Sequence, residues 1–122
     1  YENGSNIPSL IFMHIPIEEY EIAFNSSTEI DGKNDDGVNY GSFNSGLFKT
    51  VKELGSTKGI FVGHDHVNNF AVNYEDVVLS YGVKTGVNCY HDSYLGGQVI
   101  TIDNTGNFNL NNIERIFINY EY

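Results

Sequence analysis

Tryptophan is absent from this chain, cysteine occurs once, proline twice, and cations are scarce: 6 Lys plus Arg face 16 Asp plus Glu in 122 residues, a net charge of -10. One cysteine, Cys89, cannot form an internal disulfide, so no disulfide framework holds the fold and no Cys-rich zinc site is available. With no evident base beside it in sequence, Cys89 is expected to be a buried apolar residue. The shortage of Lys and Arg excludes a basic patch for nucleic acid or for an anionic membrane surface, and it slows the approach of anionic substrates. No stretch approaches the roughly 18 apolar residues of a membrane span. Tyr1 to Leu10 lacks the basic-then-apolar layout of a signal peptide. Cysteine usage leaves the compartment open, while Asn3-Gly4-Ser5 and Asn25-Ser26-Ser27 fit the N-glycosylation acceptor pattern and favour a secreted or vacuolar/lysosomal location.

What is present suffices for one domain: the chain is 40% hydrophobic and 14% aromatic. Ser9 to His14 is a short apolar run closing on an ionisable residue, the pattern of a strand buried on both faces with His14 at its carboxyl end. Pro16 ends it, and Glu18-Glu19-Tyr20-Glu21 begins a short helical turn whose glutamates form a solvated face. From Asn25 onward the chain is rich in Asn, Asp, Gly and Ser without an apolar period, and 25–43 is expected to be a flexible loop. Asn44 or Ser45 then caps a helix carrying Leu47, Phe48, Val51 and Leu54 on one face, stopped by Gly55. Gly59-Ile60-Phe61-Val62-Gly63 is a second buried strand, so Ser9 to Gly63 reads as strand, crossover, parallel strand. Phe70 to Tyr74 and Val77 to Tyr81 form a hairpin at Glu75-Asp76. Gln98 to Asp103 and Ile113 to Ile118 form another around Asn104-Thr105-Gly106. The fold class is α/β, parallel strands followed by antiparallel hairpins, without internal repeats.

Chemistry gathers at the carboxyl ends of the two parallel strands, where open α/β sheets bind ligands. Gly63-His64-Asp65-His66 places two imidazoles two positions apart, with Gly63 to let the chain turn, and His14 lies at the neighbouring strand end. Histidine is the commonest side-chain ligand for a catalytic transition metal. A cupin-like site would need a Glu where Phe70 and Ala71 stand, and a histidine-triad hydrolase would need a His at Asn68. Asp65 either hydrogen-bonds a ligand histidine or faces solvent, and Asn68 supports the loop. Lys84 and His91 lie in a Gly- and Tyr-rich segment that is either a rim for a substrate phosphate or, the more expected of the two, a solvated loop, with Tyr81 and Tyr90 as packing residues.

Phe12-Met13-His14-Ile15-Pro16, Asn44-Ser45-Gly46-Leu47-Phe48, Phe61-Val62-Gly63-His64-Asp65-His66-Val67-Asn68 and Tyr81-Gly82-Val83-Lys84-Thr85-Gly86 occur in an order that resembles the calcineurin-like metallophosphoesterases. The likeness is to their purple-acid-phosphatase-like branch of fungi and plants. The resemblance implies the C-terminal half of a four-layer α/β/β/α sandwich and a dinuclear site at which a metal-bound hydroxide attacks a phosphomonoester in line. It implies two metal ions (Fe, Zn or Mn), with His14 and His64 on one and His66 on the other, and a phosphorylated substrate as partner.

The Asp-x-His, Gly-Asp-x-x-Asp and Gly-Asn-His-Glu/Asp motifs of that family are absent: Asp35-Asp36 lacks its histidine, and Asn88-Cys89-Tyr90-His91-Asp92 has the wrong spacing. Residues 1–122 are therefore expected to be the C-terminal portion of a single metallophosphoesterase domain without its N-terminal half. Such a piece is expected to be inactive and not to retain its metals. It is also expected to self-associate through the sheet edge or face left open. A non-catalytic metal- or partner-binding module derived from the same fold is the alternative.

Overall fold

The computed structural model describes residues 7–118; the Asn3 acceptor triplet lies outside them. Strand β1 (Ser9–Phe12) leads into helix α1 (Glu19–Ser26) and the short strand β2 (Ile30–Asp31). Helix α2 (Leu47–Leu54), β3 (Thr57–Val62), β4 (Ala71–Tyr74) and β5 (Val77–Tyr81) follow, and then β6 (Leu95–Ile100), a 3-10 turn over Leu110–Asn112 and β7 (Ile113–Ile118). A five-stranded sheet runs in the order β1-β3-β5-β4-β2, and β6 pairs with β7 in a separate two-stranded sheet.

β1 and β3 are parallel, as the strand–crossover–strand pattern requires, in the register Ile11↔Ile60 and Phe12↔Phe61. β5 pairs parallel with β3 on one side and antiparallel with β4 on the other. It therefore lies at the centre of the sheet, which explains its unbroken Val77-Val78-Leu79 run. Side-chain alternation assigns the two faces. Ile60, Val62, Val77, Leu79 and Tyr81 join Tyr20 and Ala23 of α1 and Phe48 and Val51 of α2 in one core. On the opposite face Phe61 meets Phe108 edge to face, and Ser80 accepts a hydrogen bond from Gln98 of β6.

Several expectations are corrected. β1 is the edge of the sheet and is not buried on both faces: Phe12 is 65% exposed and only stacks on Phe61. An apolar run does not reveal whether a neighbour covers it. α1 is an eight-residue helix in place of a short turn, because Tyr20 and Ala23, three apart, reach the core together. Its glutamates are engaged: Glu18 and Glu19 accept from the Asn44 side chain, and Glu21 accepts from the Tyr40 hydroxyl.

Neither Asn44 nor Ser45 caps α2. Gly46, at φ 76°, holds that position, and the Asn44 side-chain Oδ1 instead accepts from the Gly46 N–H at 2.8 Å in a local turn. Leu54 is exposed, so Phe48 and Val51 carry the buried face, while Gly55 (φ 72°) provides the expected left-handed stop. The β4–β5 turn falls at Glu75-Asp76, both left-handed (φ 47° and 66°), which matches a two-residue hairpin that follows strand twist. β6 begins at Leu95, earlier than Gln98, and the connection to β7 runs over 101–112. Cys89 is exposed, at φ 63° in a turn, and is not a core residue.

The 25–43 segment carries β2, and beyond it side chains tether it. Asn68 accepts from the Asp36 N–H and donates to the Gly37 carbonyl. Asn69 accepts from the Lys33 N–H, and Lys33 pairs with Asp35 and Asp92.

Candidate functional site

The parallel pair of strands brings the histidines together. Beyond the end of β1 the chain stays bonded to the continuation of β3: the Met13 N–H donates to Phe61 O at 2.9 Å and the Gly63 N–H to His14 O at 3.0 Å. This places His14 Nε2 3.4 Å from His64 Nδ1, with the rings edge to face at 84°. That separation exceeds an ordinary N–H···N hydrogen bond. Two imidazole nitrogens this close would be near enough to share one transition-metal ion.

The turn that aims His64 is made by His64 itself, at φ 73°, and not by Gly63 as expected. A Cβ on Gly63 would meet only His14 Nδ1, at an ordinary 3.7 Å. A β-carbon in the left-handed region is strained, so His64 is held there by its surroundings.

His66 lines the same cavity of about 180 Å³ as His14, His64 and Lys84. Its ring stacks on Tyr90 at 4.2 Å and 17°, and its Nδ1 lies 2.9 Å from the Tyr90 carbonyl oxygen. Tyr90 is thus a surface residue over His66, 55% exposed, and not the packing residue expected. Tyr81, by contrast, is fully buried as expected.

Asp65 neither bonds a histidine nor faces solvent, and supports the loop at Asn39 instead. It turns inward, 4% exposed, and accepts from the Tyr81 hydroxyl at 2.5 Å and from the Asn39 backbone and side-chain N–H groups at 3.1 and 2.8 Å. Burial and then the Asp65 hydrogen bond push the Tyr81 phenol well above its ordinary value. Asn68 supports the loop, as expected, through its bonds to Asp36 and Gly37.

Lys84 sits in the cavity wall, and its carbonyl accepts from the Gly96 N–H, which moors this segment to β6. Among the described residues its ammonium makes no ion pair, in contrast to Lys33 and Arg115. His91 is outside that lining, its Nδ1 2.7 Å from the Asp92 carbonyl oxygen. Sequence reasoning missed Tyr90 as a site residue and Asn39 as the partner of Asp65, since no local pattern links positions so far apart. A larger groove of about 310 Å³ lies along β1 between Leu10, Phe12, Lys58, Ile102 and Phe108, away from the histidines.

Among the described residues no three His, Cys, Asp or Glu side chains converge as a metal-holding group. The donors present fit the imidazole share of a two-metal centre and not its carboxylate share, because Asp65, the nearest carboxylate in sequence, is committed elsewhere.

Over 90 residues the chain is 37% identical to "Probable inactive purple acid phosphatase 14" of Arabidopsis thaliana, covering 74% of this chain and 22% of the relative. It is 39% identical over 83 residues to "Probable inactive purple acid phosphatase 29" of the same plant, covering 68% of this chain and 21% of the relative. A third relative, "Probable inactive purple acid phosphatase 28", is 36% identical over 85 residues, covering 70% and 21%. The chain thus spans about a fifth of the length of these relatives. No family model matches the chain, and no solved structure matches it. With its mixed α/β architecture, parallel strands before antiparallel ones, the chain is a purple-acid-phosphatase-like C-terminal portion.

Proposed function

We propose that these residues are the histidine-bearing share of a metal-dependent phosphoesterase centre, and that the 122 residues alone hydrolyse no phosphate ester. The observation that carries this reading is the 3.4 Å approach of His14 Nε2 to His64 Nδ1 at the ends of two parallel strands. His14 and His64 would hold one metal and His66 the other, with Fe, Zn or Mn all suited to imidazole. Metals bound there would supply a nucleophilic hydroxide and neutralise charge on a phosphomonoester. The carboxylates of such a centre would come from residues outside this chain. Lys84 contributes a fixed positive charge to the cavity wall, which offsets locally the chain's net charge of -10 when an anionic ester approaches.

The test compares metal content and p-nitrophenyl phosphate hydrolysis of this chain, the chain extended upstream, and the extended chain carrying His64→Ala and His66→Ala. Activity confined to the extended chain, and abolished by the histidine changes, supports the reading. Neither metal nor activity in the extended chain overturns it in favour of a non-catalytic module. The inward-turned Asp65 and the words "probable inactive" in the relatives' names favour that second reading.

A further inference from the structure

We propose that Tyr90 is a positioning residue that selects the tautomer of His66; this rests on the reading of His66 as a ligand. Three parts of Tyr90 engage one histidine. Its carbonyl oxygen lies 2.9 Å from His66 Nδ1, its ring stacks on the imidazole, and its hydroxyl accepts from the His66 backbone N–H at 3.3 Å. The same hydroxyl donates to Asp36 Oδ2 at 2.5 Å, so Tyr90 closes a latch between the 32–46 segment and the Gly63-His64-Asp65-His66 turn.

A carbonyl oxygen only accepts, so the Nδ1 facing it carries the proton, and Nε2 is left as the nitrogen with a lone pair. A ligand histidine is oriented in the same way wherever its other ring nitrogen donates to a carbonyl. The turn that brings Tyr90 there is made at the preceding residue, Cys89, at φ 63°. Core packing does not account for Tyr90, since more than half of it is exposed. Its contacts converge on His66 and on the loop that borders it. His64 is treated differently: its Nδ1 is the nitrogen that faces His14, so the two imidazoles of the motif offer opposite ring nitrogens.

The experiment is nitrogen-15 NMR of the imidazole rings, at a pH where they are neutral, on the metal-free chain and on Tyr90→Phe, Tyr90→Leu and Tyr90→Ala. The wild-type chain is expected to show His66 as the Nδ1–H tautomer. Tyr90→Phe keeps ring and carbonyl and should keep that tautomer. Tyr90→Leu and Tyr90→Ala release the stack and the Asp36 tether, and His66 should become a mixture of tautomers while the His14 and His64 signals stay in place. An Nε2–H His66 in the wild-type chain overturns the proposal. So does an unchanged tautomer in a folded Tyr90→Leu or Tyr90→Ala chain, with far-UV circular dichroism deciding which of the two is read. The readout uses neither metal nor turnover, so the phosphoesterase reading can fail in the extended chain while this result stands.

Discussion

The Tyr81 hydroxyl donates to Asp65 Oδ2 across 2.5 Å at a point where neither residue reaches solvent freely. Tyr81 ends the central strand, Asp65 lies in the middle of the histidine motif, and Asn39 donates to the same carboxylate from the long 32–46 segment. One buried carboxylate therefore fixes the relative positions of sheet, motif and loop. Its removal would leave three donors without that partner, and the Tyr81 hydroxyl among them is buried in a region of low dielectric.

Alkaline pH tests this arrangement. The Tyr81 phenol is raised by burial and by Asp65, and burial likewise raises Tyr20. Below about pH 10, the ordinary tyrosine value, folded and unfolded chains both keep the proton and the stabilisation is intact. Above it the unfolded chain ionises first, so stability falls as pH rises. Thermal melts should show a Tm steady to about pH 9.5 that then drops, with a shallower drop in Tyr81→Phe. Equal slopes in the two proteins would remove Tyr81 from the explanation.

Asn68→Ala should cost about 1–3 kcal/mol, because it leaves the Asp36 N–H and the Gly37 carbonyl without their partner. Urea titration measures the loss. Hydrogen exchange should show it concentrated at residues 33–40, with β3 and β5 still protected. A uniform loss across the sheet would contradict the assignment of Asn68 to the loop.

Zinc titration by calorimetry, at zinc concentrations high enough to load a weak site that does not retain its metal, tests the paired imidazoles. His14→Ala and His64→Ala should each abolish binding at the pair, and the double variant should be no worse than either, since a single remaining imidazole is not a chelate. His66→Ala should leave that heat largely in place. Binding that survives the double variant would locate the metal elsewhere.

The open edge of β1 predicts association between copies of the chain. Ser9 to Phe12 carries neither charge nor proline to deter pairing, and the exposed Phe12 ring lies beside a groove bearing Lys58 and Asp103, opposite charges that two antiparallel copies could exchange. Sedimentation velocity at micromolar concentration should show dimers or larger species, shifted to monomer by Phe12→Lys. A wild-type monomer under those conditions would contradict it.

Local chemistry made part of this legible in the sequence. The β4–β5 hairpin followed from Glu75-Asp76 between two apolar runs, α2 from its three-to-four residue spacing and Gly55, and the parallel pair from two apolar runs with a helical crossover between them. The histidines were legible as a cluster because each follows a strand of that pair. What stayed hidden depends on partners distant in the chain. Asp65 could not be seen to turn inward without Asn39 and Tyr81, nor Tyr90 to cover His66, nor Phe12 to lie at an edge. The start of β6 was masked by Gly96 and Gly97, which suit a turn as readily as a strand.

The left-handed backbone of His64 bears on how an activity at this site could be lost. For a residue with a β-carbon that conformation costs roughly 1–2 kcal/mol, and glycine is spared it. A His64→Gly change would remove the imidazole and relieve the strain in one step, so loss of chemistry at this position runs downhill in folding energy. In a lineage released from the need for a metal, drift at this position would be reinforced by the fold, whereas an imidazole retained here is held against a thermodynamic gradient.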